Sequence, residues 1–543
     1  MNQPASVSSK PKRLSIGNIA GLLVTMTLIG QILGFLRTKL VNANFPTVGH
    51  HSTDAYFAAF SVPDFFFFTL AAGALGVAFI PVLSDRLYGN SRKSMWELSA
   101  SLMNFLAIIM AAVGVIMFVF AKPLIAHIVA PGLARDPQQL DTAATIMRYL
   151  AFNPLLFTIS GILTSVQQTL GRFFFYAIAP LFYNLTIIVS AIIFSTQAPH
   201  NGGPGHLGLV GLGVGALIGA LLQLAVILCG LFKTGFTWQP KISWRSKDFR
   251  TVLRNLPPRS LDQGMDQVED IVETHIASGI GTGNITYYNN AYILSTAPIL
   301  LIGTAIATAA FPRLSARLSQ NRPDLFRKDF LQTLRAMIWI AAPLVVVCYF
   351  CRGYLARLIY TRGNDQIATI FGYLALAIFF RILYSIISRW FYAHKDTKTP
   401  LFVSIFTIGL NIFLAYKLSR PDAYGVAGLA LAQSIVAAVE VFILSVVMVW
   451  RDHKLFDLDF WDGILRILSV TGFSVVAGFI MISFYPLGLN DRGILTLGSK
   501  LGFISLIVFG VHVALSALFG LEEVRPLFAR IKRLAFRPVK IDI

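Results

Sequence analysis

Charge is what this sequence has least of. Only 13% of its 543 residues are Asp, Glu, Lys or Arg, about half the share of an ordinary soluble domain, while 55% are hydrophobic and the mean hydropathy is +0.68. That balance excludes a conventional water-soluble protein. Cysteine is scarce as well, with three residues in all. Cys348 and Cys351 form a CxxC spacing, but they close an apolar run and have no second pair, which reads as packing rather than redox or metal chemistry. His50 and His51 stand together in a polar stretch, too few for a metal site. No GxxxxGK[ST] loop occurs, so this chain has no phosphate-cradling motif for nucleotide hydrolysis.

What fills the chain is apolar runs of roughly 20 residues, the length that crosses a bilayer as a helix. About 14 spans are expected, near residues 16–41, 55–83, 98–121, 146–169, 174–195, 208–232, 257–280, 287–311, 332–351, 366–392, 399–418, 424–449, 462–485 and 496–519. The fold class is therefore an all-α polytopic membrane protein. The first run follows Lys10, Lys12 and Arg13 but exceeds a signal-peptide core and lacks a small-residue cleavage site, so it reads as a retained helix. The net charge of +19 does not imply nucleic acid, because the basic residues alternate with the spans. Arg245, Lys247, Arg250 and Arg254 fill one loop, Arg313, Arg317, Arg322 and Arg327 another, and Arg525, Arg530, Lys532 and Arg533 the tail. Loops of opposite parity at 43–53, 196–207 and 281–286 hold no Lys or Arg. The positive-inside rule puts both termini in the cytoplasm.

The chain also repeats itself. GALGVAFIPVLSDRL at 73–87 matches TAIATAAFPRLSARL at 304–318, with Pro81 over Pro312 and Arg86 over Arg317 at a constant separation of 231 residues. Gly132 falls over Gly363 at the same separation. PLFYNLTIIV at 180 pairs with PLFVSIFTIG at 400, and GLVG at 208 with GVAG at 425. Four blocks in one order imply duplication of a six-helix unit, an N-lobe over 1–250 and a C-lobe over 251–455, with two more helices and a basic tail over 456–543. A duplicated even-numbered unit is a parallel repeat, which implies a central cavity and alternating access.

One segment contradicts its surroundings. LPPRSLDQGMDQVEDIVETHIAS at 256–278 carries Asp262, Asp266, Glu269, Asp270 and Glu273 in a chain otherwise apolar, and removing it from the span count would invert every later loop. Positions 262, 266, 269 and 273 share one helical face, while Leu261, Met265, Val268, Ile271, Val272 and Ile276 cover the other side. Carboxylates facing hydrocarbon are costly, so the acidic face is expected to line a hydrated chamber between the lobes. Arg259, one turn earlier, is a local partner. Other charges near or inside spans are Arg37 and Lys39, either cavity-lining or snorkelling to the interface, Asp54 and Asp64, Arg381 and Glu440. Asp54 after Thr53 also reads as a helix N-cap.

TDAYFAAFSVP at 53–63, the APG at 130–132, LGRFFFYAIAPLFYNL at 170–185, RWFYAHKDTKTP at 389–400 and YGVAGLALAQS at 424–434 resemble the lipid II flippase family, MurJ/MviN, of the multidrug/oligosaccharidyl-lipid/polysaccharide exporter superfamily, in order along nearly the whole chain. The resemblance implies 14 helices, two six-helix lobes around a cavity, a groove from the last two helices for a polyprenyl tail, and export of a lipid-linked peptidoglycan precursor across the bacterial cytoplasmic membrane, driven by membrane potential or a cation gradient. The family's first-helix SRxLGxxRD reads GQILGFLRT here, keeping Arg37 but placing Gln31 and Thr38 at the other charged positions. Its LPNxxRRxxxEGA reads VPDFFFFTLAAGA, with Phe67 and Ala72 at the Arg and Glu. Its YADRL reads NAYIL, with Ile293 at the arginine. Glu273 matches a position acidic in members proposed to bind sodium, and Asn411 and Gln433 match other polar positions of that site.

These residues give a division of labour. Glu273, Asn411 and Gln433 are assigned to ion coupling, with a sodium ion or a proton as the coupling species and no other cofactor. Arg37, Gln31, Asp54, Asp64, Arg259, Asp262, Asp266, Glu269 and Asp270 are assigned to the substrate cavity. A monomer among membrane lipids, carrying a lipid-linked oligosaccharide and no nucleic acid, is the expected assembly. The alternative is a cation-coupled exporter of a cationic small molecule or a different glycolipid, since a diphosphate needs forked cationic donors and three of four are replaced. A third reading is a degenerate relative acting as an assembly scaffold.

Overall fold

A computed structural model describes residues 16–69, 74–89, 92–195, 207–232, 234–488, 491 and 493–525. Among them the regular structure is helical throughout. In chain order the helices are α1 (Ile16–Asn44), α2 (Asp54–Phe67), α3 (Ala74–Gly89), α4 (Arg92–Pro123), α5 (Pro137–Leu150), α6 (Asn153–Thr169), α7 (Phe174–Ile193), α8 (Val210–Gly230) and α9 (Lys247–Ile280). There follow α10 (Asn284–Pro298), α11 (Ala305–Ser319), α12 (Pro323–Phe350), α13 (Arg352–Ile359), α14 (Asn364–Ala393), α15 (Lys398–Leu418), α16 (Ala427–Arg451), α17 (Leu458–Phe484) and α18 (Ile494–Leu518).

Twelve helical stretches among the described residues are long and apolar enough to cross a membrane. The two expected spans outside that set are also helical. One is α2 with α3, and the other is α9, whose carboxylates depress its hydropathy. Together they make about 14 spans, the architecture of a multi-span membrane protein.

Contacts sort the chain into two compact units. The first holds the described residues of 1–40, 66–119 and 147–261, and the second those of 41–65, 120–146 and 262–543. The change of unit at 119–120 falls where α4 is kinked, Phe120 having φ −98° and ψ 17° just ahead of Pro123 and a π-helical turn at 124–129. Proline and π-turns interrupt the i→i−4 ladder.

In the first unit α7 and α8 pack along Gly211, Gly215 and Gly219, spaced one helical turn apart. A Cβ at Gly215 would lie 2.0 Å from Ser190 Oγ and one at Gly219 2.3 Å from Thr186 Oγ1, so only glycine admits this approach. Arg86 ends α3 by donating to Asp248 at 2.6 Å and Ser246 at 2.8 Å. Its repeat partner Arg317 ends α11 in the second unit by donating to Asp329 at 3.0 Å, beside Arg313 at 2.8 Å. The duplicated arginine thus does one job twice, with a different acid each time.

In the second unit α14 is central, packed by α10, α12 and α16, and its Ile378, Ile382 and Ile386 are fully buried. The α17–α18 hairpin lies on α12. Val346, Cys351 and Tyr354 pack Leu497, Ile504 and Val508 there. Trp339 Nε1 donates to Ser516 at 2.8 Å, and Ser474 and His512 are hydrogen-bonded at 3.0 Å. Cys348 and Cys351 are free thiols in this packing.

Candidate functional site

The second unit carries a polar cluster in the middle of its apolar helices. Glu273 on α9 is buried, 4% exposed, and so is Glu269 one turn before it, at 8%. Asn411 of α15 donates to Glu273 Oε1 at 3.1 Å and Gln433 of α16 donates to the same oxygen at 2.9 Å. Tyr288 of α10 donates to Oε2 at 2.8 Å. The Asn411 amide also donates to Glu269, while its own Oδ1 has no hydrogen-bond partner although the residue is fully buried. Four helices therefore converge on one carboxylate, and three neutral donors replace its hydration.

A cavity of about 190 Å³ adjoins this cluster. Asp266, Glu269, Arg381, Tyr384, Ser404 and Glu440 line it. Ser404 donates to Glu440 at 2.9 Å, and Arg381 lies 3.9 Å from the same carboxylate. Among the described residues, Glu273 lies beside this cavity and Asp266, Glu269 and Glu440 line it together with Arg381. Carboxyl groups inside a membrane-spanning bundle are costly unless paired, protonated or bound to a cation.

The residues singled out in the sequence are distributed as follows. Glu273, Asn411 and Gln433 meet directly. Glu269, assigned above to the substrate cavity, shares the Asn411 amide with Glu273. The i, i+4 spacing puts both on one face of α9, with Glu269 also reaching the cavity described above. Asp266 is exposed on the cavity rim, and Asp270 is half-buried. Asp54 is a cap, but of a helix distant in sequence. Its carboxylate accepts from Thr286 N at 2.8 Å, from Thr286 Oγ1 at 2.7 Å and from Gly283 N, closing the N-terminus of α10. Gly283, at φ +89°, turns the chain into that helix. Asp64 is half-buried on α2. Gln31, exposed, and Arg37, half-buried, lie on α1 in the first unit. The side chains of Arg259 and Asp262 lie outside the described residues.

Sequence reasoning did not find Tyr288, Tyr384 or Ser404. No spacing rule links them to Glu273 or Glu440, which sit on other helices. Arg381 and Glu440 did leave a signal, as charges inside apolar runs, but their pairing needed the fold.

A many-helix membrane fold with buried, ionisable side chains in one of its units is of the transporter class. The solved structures it resembles agree on the fold. A structure titled lipid II flippase MurJ, inward closed conformation, matches with a TM-score of 0.75 at 22% identity, covering 92% of this chain and 98% of the other. An inward-facing multidrug resistance MATE family transporter of the MOP superfamily matches at 0.63 and 15%, covering 82% and 98%. The family model for lipid II flippase MurJ matches residues 49–490. The chain belongs to the lipid II flippase MurJ family. Its relatives include a probable lipid II flippase MurJ of Buchnera aphidicola subsp. Acyrthosiphon pisum, 25% identical over 90% of this chain and 93% of the relative. A lipid II flippase MurJ of Burkholderia cenocepacia is 26% identical over 77% and 81%.

Proposed function

We propose that this chain moves a lipid-linked peptidoglycan precursor of the lipid II kind across the bacterial cytoplasmic membrane by alternating access, as a monomer with both termini in the cytoplasm. Uptake of a monovalent cation or proton at Glu273 drives the cycle. Family membership supports the substrate class, and the alternation of basic loops supports the orientation. The observation that carries the coupling is Glu273 itself, a carboxylate enclosed by α10, α15 and α16 in an apolar bundle with only neutral donors on it.

Such a site changes state with its occupant. With no cation present, the two amides and the phenol satisfy the Glu273 carboxyl oxygens. A proton or sodium ion arriving there removes the need for those donors, and the unpartnered Asn411 Oδ1 becomes available to the ion alongside Glu273, Glu269 and Gln433. That exchange alters the contacts of α9 with α10, α15 and α16, which is what a coupling event has to do. In cells, depletion of the protein is expected to leave the lipid-linked intermediate on the cytoplasmic leaflet; an unchanged leaflet distribution would overturn the assignment.

The acid-rich cavity beside Arg381, together with Phe67 and Ile293 at positions where the family has arginines, favours a second reading, export of a cationic small molecule or a different glycolipid. Under that reading, reconstituted vesicles release an organic cation in a Glu273-dependent manner and leave lipid II where it is.

A further inference from the structure

A groove of about 940 Å³ runs along the side of the second unit, formed by residues 128–135, the C-terminal half of α9 and the C-terminal half of α15. Its wall is apolar. Ile271 and Val272 come from α9, and Phe413 and Tyr416 from α15 are 58% and 63% exposed. In a membrane span such a surface meets acyl chains.

The end of the groove is different. Arg135, His275, Ser419 and Arg420 gather where α9 and α15 finish, and no acidic residue lines any part of it. Neither guanidinium is in an ion pair with a carboxylate among the described residues. Arg135 reaches only the Gly279 carbonyl, at 3.5 Å, and Arg420 lies 5.7 Å from the Tyr416 ring. Ser419 is 3% exposed and its hydroxyl has no hydrogen-bond partner. His275 Nδ1 donates to the Ile128 carbonyl at 2.7 Å, which fixes the ring and leaves Nε2 uncommitted by that bond. Cationic forks and an unspent hydroxyl at one end, with an apolar wall running inward from them, repeat the polarity of a single lipid molecule.

We propose that this groove binds an anionic phospholipid, its phosphodiester held by Arg135, Arg420 and the Ser419 hydroxyl and an acyl chain laid along α9 and α15. Arginine forks match phosphate oxygens in pairs, and two guanidiniums with no carboxylate partner favour a headgroup of net negative charge. A zwitterionic lipid fills the apolar wall equally well but carries an ammonium that two unpaired guanidiniums repel. Anionic lipid is therefore selected at the headgroup.

The full chain, stripped of lipid and titrated with phosphatidylglycerol or phosphatidylethanolamine under native mass spectrometry, tests this. A gain of about fivefold per basic residue predicts that phosphatidylglycerol is retained roughly 25-fold over phosphatidylethanolamine. That preference should fall to near parity in the Arg135→Gln/Arg420→Gln double variant, recover in part in the double lysine variant, and drop with Ser419→Ala. Equal retention of the two lipids by the wild-type protein, which needs no variant to fold, would overturn the proposal. So would an undiminished preference in the double glutamine variant. Translocation of a lipid-linked precursor by the same samples reads the transport function separately.

Discussion

Replacing Glu273 by glutamine separates what the residue does for folding from what it does for coupling. The side chain accepts three hydrogen bonds, two at Oε1 from Asn411 and Gln433 and one at Oε2 from Tyr288. A glutamine placed with its carbonyl at the Oε1 position keeps the first two, and its amide can donate to the Tyr288 oxygen, so the cluster stays satisfied and one charge leaves an acid-rich region. Glu273→Gln should therefore fold with little loss. Glu273→Ala, in contrast, strands three donors, at about 1–3 kcal/mol for each one left unmet. Thermal melting in detergent should place the alanine variant well below the wild type and the glutamine variant close to it. In proteoliposomes loaded with labelled lipid II, both variants should fail to translocate. Wild-type translocation by Glu273→Gln would refute the coupling role, and wild-type melting of Glu273→Ala would refute the packing argument.

Four further outcomes follow from other parts of the chain. Asp54→Asn weakens the cap on α10 and should cost about 0.5–2 kcal/mol, read as a lower melting temperature. Gly363→Ala puts a Cβ 2.1 Å from a Tyr287 ring carbon at φ +63° and should destabilise by more than the roughly 1–2 kcal/mol of the backbone conformation alone. Gly502→Ala, with nothing within 4 Å, should melt at or above wild type. Asp396, in the loop between α14 and α15, is opposed by partial burial, yet the Thr399 hydroxyl and amide, Arg451 and the Lys398 amide hold its pKa down to about 2. A depressed carboxylate stabilises the fold above its ordinary value of 3.8 and loses that contribution as pH falls through about 2. The melting difference between wild type and Asp396→Asn should accordingly be largest near neutrality and shrink as pH falls below about 4.

Much of the fold is legible in the sequence because a membrane span announces itself by length and apolarity. Even α9, which fails that test, is marked by the charge alternation of the loops around it. The hydrogen-bonded cluster around Glu273 was half legible. Glu273, Asn411 and Gln433 could be named from the family motif, but a helical wheel cannot say which neighbour a face meets. It shows the acidic stripe but not that Glu269 shares the Asn411 amide of α15 with Glu273. The carboxylate of Asp54 reaches across more than two hundred residues to α10, and Tyr288 reaches back to α9; neither contact has a local pattern. The groove that gathers Arg135 with Arg420 is invisible in sequence for the same reason, since each arginine reads alone as a loop residue.

The central claim is that a cation taken up at Glu273 powers movement of a lipid-linked precursor. The most direct measurement is net translocation of lipid II in sealed proteoliposomes, followed as a sodium or proton gradient is imposed and then collapsed. The account predicts gradient-dependent accumulation on the far leaflet by the wild-type protein and none by Glu273→Gln. Movement that ignores both gradients, or that persists equally in the variant, would contradict it.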